Sequence, residues 1–145
     1  MIDVLKQLLV AEDDPNGYNN FVTAVYSLSK NINVMRVDDG YSLLTMLQTN
    51  IKPQAIFLDI NLKFKNGLMT LLEIKEKTHL KDVPVIMLSS YDYPTNIDQA
   101  FEYGATFFIQ KPSSSLKLAK ALTKVFTSSY FSACTQPPKD KFFVR

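Results

Sequence analysis

The sequence predicts an α/β domain, a parallel sheet covered by helices on both faces, on three observations. Five short apolar runs alternate strictly with five longer amphipathic segments. The runs are apolar almost throughout, as strands buried on both faces require. The chemically distinctive groups are the Glu12-Asp13-Asp14 triplet, Asp59, Ser89 and Lys111. Each comes at or just after the end of a run, the edge at which sheets of this class bind ligands.

The elements follow in order. Residues 6–11 read as the first strand, built on Leu8-Leu9-Val10-Ala11. Tyr18, Phe21, Val22, Val25, Tyr26 and Leu28 recur at helical spacing and predict a helix over 18–30. Asp14 before Pro15 is placed to cap it. Residues 33–37 form the second strand, Asp38-Asp39-Gly40 a turn, and residues 41–48 a short helix with Leu43, Leu44 and Leu47 inward. Pro53 precedes the third strand, 54–58, and Asn66-Gly67 marks a turn before a helix built on Leu68, Leu71, Leu72 and Ile74. Pro84 opens the fourth strand, 84–88. Pro94 suits the first turn of a helix reaching Tyr103, where Gly104 can take the left-handed C-terminal position. Residues 106–110 are the fifth strand, and Ser113-Ser114-Ser115 offers N-caps for a last helix over 115–127. One domain is expected over residues 1–127. Residues 128–145 are expected as a C-terminal tail broken by Pro137-Pro138, without a separate output domain.

Composition narrows the function classes. A hydrophobic fraction of 46% and a charged fraction of 21% are those of an ordinary soluble globule. A net charge of +2, with basic residues scattered along the chain, points to neither nucleic acid nor an anionic membrane as direct partner. One cysteine, Cys134, and one histidine, His79, exclude a disulfide framework and a Cys/His zinc site within the chain. The early acid Asp3 and the lack of a long apolar segment argue against a secretory signal or a membrane span, so a cytoplasmic location is expected. The four glycines are isolated, so no phosphate-cradling glycine loop is present, and neither is a Gly-x-Ser-x-Gly elbow.

Carboxylates, a hydroxyl and an ammonium at four strand ends suggest a Mg2+ and phosphoryl site. A hard dication takes oxygen ligands and keeps waters. Asp13, with Glu12 directly or through water, and Asp59 would supply them. Asp59 can also act as a nucleophile, an aspartate oxygen attacking phosphorus to form an acyl phosphate. Alone, each motif has a plainer reading: a solvated capping loop for Glu-Asp-Asp, a turn cap for Ser89, an exposed loop for Lys111-Pro112. Together they do not.

Four motifs, Leu9-Val10-Ala11-Glu12-Asp13-Asp14-Pro15, Phe57-Leu58-Asp59-Ile60-Asn61, Pro84-Val85-Ile86-Met87-Leu88-Ser89-Ser90 and Gly104-Ala105-Thr106-Phe107-Phe108-Ile109-Gln110-Lys111-Pro112, resemble the receiver domain of two-component response regulators over about residues 6–126. The resemblance implies a flavodoxin-like (βα)5 fold with strand order 2-1-3-4-5. It implies Asp59 as phosphoacceptor, Glu12 and Asp13 as the acidic pair, and Asn61 giving its backbone carbonyl to Mg2+. Ser89 would be the switch hydroxyl, Phe108 the switch aromatic and Lys111 the phosphate-contacting lysine, followed by a typically cis Pro112. A histidine kinase or phosphotransfer protein would be the donor. The readout would be a protein-interaction surface of helix 4, strand 5 and helix 5, with a homodimer through that face. Catalysis would be limited to transfer onto Asp59 and slow autodephosphorylation. The lead-in to strand 4 looks most like stand-alone receivers of the phytochrome-partner type.

Lys63 stands where proline is common, Phe64-Lys65-Asn66 makes an unusual loop, and Ser90 replaces a smaller residue. Two rival readings are a receiver fold that is never phosphorylated and an aspartate-nucleophile phosphohydrolase. The second wants an acid two residues after the nucleophile, where this chain has Asn61.

Overall fold

Successive residues of a strand point to opposite faces of a sheet, and here each face has its own core. The structure, a computed structural model, describes residues 2–145; Met1, the first residue of the expected domain, lies outside them. β1 (Gln7–Ala11), β3 (Ala55–Asp59), β4 (Val85–Ser89) and β5 (Phe107–Gln110) send Val10, Phe57, Leu88 and Ile109 to one side. There they meet Phe21 and Val25 of α1 (Pro15–Leu28) and Leu118 and Leu122 of α5 (Ser115–Phe126). Leu9, Leu58, Met87 and Phe108 face the other way. They pack on α2 (Gly40–Leu47), α3 (Gly67–Lys75) and α4 (Pro94–Glu102).

The sheet order is β2-β1-β3-β4-β5-β6, all pairs parallel, with β2 spanning Asn33–Val37. From β1 the chain moves out to β2 through α1. It then returns past β1 to β3 through α2 on the opposite face. That reversal opens a crevice above the carboxyl ends of β1 and β3, where Glu12 and Asp59 stand.

The caps expected from sequence form. Asp14 accepts from the Asn16 amide at 3.1 Å and Ser114 from that of Lys117 at 3.2 Å; each such cap contributes about 1 kcal/mol. Gly104 ends α4 with φ +93°. In the unusual loop Phe64 is 86% exposed with φ +66°, a conformation that costs a non-glycine residue about 1 kcal/mol or more. Its flanks are tethered by the pairing of Lys63 with Asp39 and of Lys65 with Glu73.

Two expectations change. The sheet has six strands rather than five, because residues after 128 fold into α6 (Ser129–Ala133), α7 (Lys139–Phe142) and β6 (Phe143–Val144). The edge of β5 presents unpaired backbone groups, and β6 pairs with it at Phe108↔Phe143 and Ile109↔Val144. Phe142 is fully buried, edge-on to Phe101 at 5.1 Å between ring centroids, a burial worth about 2–3 kcal/mol. Gln136 donates to the Phe101 and Ala105 carbonyls at 2.6 and 2.8 Å. Secondly, the Lys111–Pro112 peptide is trans, not cis, the isomer favoured intrinsically for an X–Pro bond.

Candidate functional site

A carboxylate at the end of a buried strand must find a partner or give up its charge. Asp59, the last residue of β3, is 3% exposed, and Glu12, just past β1, is 2% exposed. One ammonium serves both: Lys111 Nζ donates to Asp59 Oδ2 at 2.6 Å and to Glu12 Oε1 at 2.9 Å. Lys111 follows β5 and comes from 52 and 99 residues away in the chain. Asp59 Oδ1 accepts from the Asn61 amide at 2.9 Å. Ser89 closes β4, one residue beyond Leu88, the register partner of Asp59. Its carbonyl accepts from the Lys111 amide at 2.7 Å, and its hydroxyl accepts from the Tyr91 amide at 3.1 Å. Among the described residues five polar or charged ones are buried, and Glu12, Asp59 and Ser89 are three of them. Polar burial is therefore concentrated at this edge.

The electrostatics follow from the count of charges. Burial first, then hydrogen bonding with the Asp59 carboxyl, push the Glu12 carboxyl from 4.5 up to about 7, against the downward pull of Lys111. Burial works against the Lys111 ammonium, but the Asp59 and Glu12 carboxylates outweigh it and hold its pKa above the ordinary value. Two acids thus face one fixed cation, and a proton near neutrality makes up the difference. An all-oxygen donor set short of positive charge fits a hard divalent cation such as Mg2+, which would displace that proton.

The backbone at Asp59 needs close packing. A Cβ at Gly67 would lie 2.1 Å from the Asp59 carbonyl oxygen, so α3 can begin against the end of β3 only with glycine there. Beside the acids lies a cleft of about 720 Å³ lined in part by Glu12, Gly17, Ser90, Lys111 and Pro112.

The structure brings Glu12, Asp59 and Lys111 into direct contact, with Ser89 on the neighbouring strand. It does not assemble the full acidic set. Among the described residues no three His, Cys, Asp or Glu side chains converge closely enough to hold a metal ion. Asp13 is half-buried, and it is its carbonyl that accepts from Arg36 Nη2, at 3.3 Å. Asn61 is exposed. Phe108 is fully buried, with its ring 5.8 Å from that of Phe143, so the tail as well as the sheet encloses it. Sequence reasoning missed Arg36 of β2, whose guanidinium donates to the carbonyls of Glu12 and Asp13 at 2.9 and 3.3 Å. Its signal was a lone cation inside the strand Asn33–Val37.

The family model of the response regulator receiver domain matches residues 8–123. The two-component response regulator ORR7 of Oryza sativa subsp. japonica is 34% identical over 104 residues, covering 72% of this chain and 49% of the rice protein. This chain therefore spans about half of that relative's length. The two-component response regulator ORR11 of Oryza sativa subsp. indica is 29% identical, covering 77% of this chain and 76% of that protein. Among solved structures, the phosphorylated cyanobacterial phytochrome response regulator RcpA superposes with a TM-score of 0.78 at 23% identity, covering 93% of this chain and 99% of that one. The Mn(2+)-bound form of response regulator Rcp1 superposes with a TM-score of 0.75, also at 23% identity, covering 92% and 99%. At that identity both show the shared fold.

Proposed function

Because the chain belongs to the response regulator receiver domain family, we propose that Asp59 accepts a phosphoryl group from a phosphohistidine of a histidine kinase or phosphotransfer protein. An Asp59 carboxylate oxygen forms the new P–O bond as the P–N bond to imidazole breaks. The bonding pair leaves with the ring nitrogen, and Asp59 becomes an acyl phosphate. The observation that carries this reading is the Lys111 ammonium held between the buried Asp59 and Glu12 carboxylates.

Lys111 is positioned to follow charge from the Asp59 carboxylate onto the phosphoryl oxygens. Glu12, Asp13, Asp59 and the Asn61 carbonyl would hold Mg2+, which would neutralise charge on the phosphoryl group. Ser89 would turn its hydroxyl from the Tyr91 amide towards a phosphoryl oxygen. Ser90, in the wall of the cleft, would slow water reaching the acyl phosphate, so autodephosphorylation would be slow.

The switch would run through Phe108. A change in its packing would reach α4 and Phe143, which share its cluster, a local charge change biasing a two-state element. A homodimer through the face of α4, β5 and α5 belongs to this reading; since β6 covers the β5 edge, the contact would be made by α4, the tail and α5. The reading assigns no direct nucleic-acid or membrane partner and a cytoplasmic location. Among the described residues no helix is long and apolar enough to cross a membrane.

The test is incubation with acetyl phosphate and Mg2+ followed by intact mass. One phosphoryl adduct is expected on the wild type and none on Asp59→Ala. An adduct that survives Asp59→Ala overturns the assignment, and steady turnover of an aryl phosphate would favour a phosphohydrolase instead.

A further inference from the structure

Two consecutive carbonyls leave the sheet where β1 ends. The β2 ladder stops serving them once the Glu12 amide has donated to the Val37 carbonyl at 3.1 Å. Arg36 takes over from the neighbouring strand, where it is the register partner of Val10. Its Nε donates to the Glu12 carbonyl at 2.9 Å and its Nη2 to the Asp13 carbonyl at 3.3 Å. The guanidinium is itself held by two further side chains. Tyr18 of α1 lies beneath it at 5.1 Å from the ring centroid, Asp38 pairs with Nη2 at 3.5 Å, and the side chain is only 28% exposed. A planar fork with fixed donor directions restrains both peptide planes at once, which a point charge cannot do.

We propose that Arg36 is a positioning residue for the divalent-cation site, its guanidinium fixing the Glu12–Asp13 backbone from which both carboxylates would reach one ion. The inference rests on the proposed reading of the acidic pair as a cation site. It carries a sign that separates it from simple electrostatics. Arg36 is a cation beside a cation site, so by Coulomb's law alone its removal would tighten Mg2+ binding. If the fork orients the ligands, removal weakens binding, as losing an outer partner of a metal ligand commonly does, by about 10- to 100-fold.

The experiment titrates Mg2+ alone into the full chain, stripped of metal, by calorimetry at a temperature where circular dichroism shows each variant folded. Arg36→Met, which keeps an apolar stem on Tyr18, is expected to weaken Mg2+ binding by at least about tenfold. Arg36→Lys, which keeps the charge but lacks the fork, is expected to weaken it as well. Affinity that is unchanged or tighter in Arg36→Met, or fully retained in Arg36→Lys, overturns the proposal. If Arg36→Met does not fold, Arg36→Lys decides the matter alone. A wild type that binds no Mg2+ is a separate outcome: it overturns the cation-site reading itself, and the inference falls with it.

Discussion

The two lateral edges of the sheet are finished in opposite ways. At the β2 edge the last interactions are polar: Arg36 reaches inward to two backbone carbonyls and to Asp38. At the β5 edge the finish is apolar. A two-residue parallel pairing with β6 brings Phe142 into the core and sets Phe143 against Phe108. Charge divides in the same sense. Residues 1–106 carry nine basic and thirteen acidic residues, net −4, and residues 107–145 carry seven against one, net +6. The overall +2 conceals this separation. Hydrogen bonds contribute little net stability but fix direction, whereas burial contributes stability with little direction. The β2 edge is thus built to orient the acidic loop, and the β5 edge to hold the fold closed around Phe108.

Phe142→Ala tests that division most severely. Emptying a fully buried phenylalanine site costs about 3–5 kcal/mol, read from urea unfolding, while Mg2+ affinity stays within about twofold of the wild type. A parallel loss of Mg2+ affinity would break the comparison, because the two edges would then act as one unit.

The acidic crevice should respond to pH where the Phe142 cluster does not. The Glu12 carboxyl titrates near 7 in the folded chain and at 4.5 ordinarily, so over that interval the folded state holds the extra proton. Its contribution to stability is complete below about pH 4.5 and is lost as the pH rises through about 7. In metal-free solution this group makes stability fall with rising pH, with a limiting slope of about 1.4 kcal/mol per pH unit. Glu12→Gln should remove that component from unfolding free energies measured across the interval. An unaltered pH profile in Glu12→Gln would place the proton elsewhere.

The smallest effect is expected at the surface of the apolar edge. Lys139 pairs with Asp98 at 2.6 Å, but both side chains are more than half exposed. Lys139→Ala should therefore change the unfolding free energy by less than about 1 kcal/mol. A larger loss would mean that the tail is held by charge as well as by Phe142.

Much of the site was legible because it obeys a rule visible along the chain. Apolar runs end, and the residue at or after the end is chemically distinctive. That pattern yielded Glu12, Asp59, Ser89 and Lys111, and the structure seats all four at one edge. The tail was not legible. A strand of two residues has no periodicity to detect, and Pro137-Pro138 reads as a break although Pro137 is buried. The basic residues near the C-terminus looked scattered because Lys117, Lys120 and Lys124 are separated by uncharged residues. A helix gathers them onto one side, where they line a cavity with Lys111 and Arg145. Arg36 was passed over because one cation in a strand carries no pattern.

The sequence by itself determined which segments before the tail are strands and helices, which of their faces are apolar and which side chains stand at the strand ends, because these depend on local spacing. Only the tertiary structure decided that one ammonium joins carboxylates 52 and 99 residues away, that Arg36 grips the acidic loop, and that the last residues seal the sheet. Those contacts depend on strand order and register, which are settled by the mutual packing of distant segments and leave no period within any one of them.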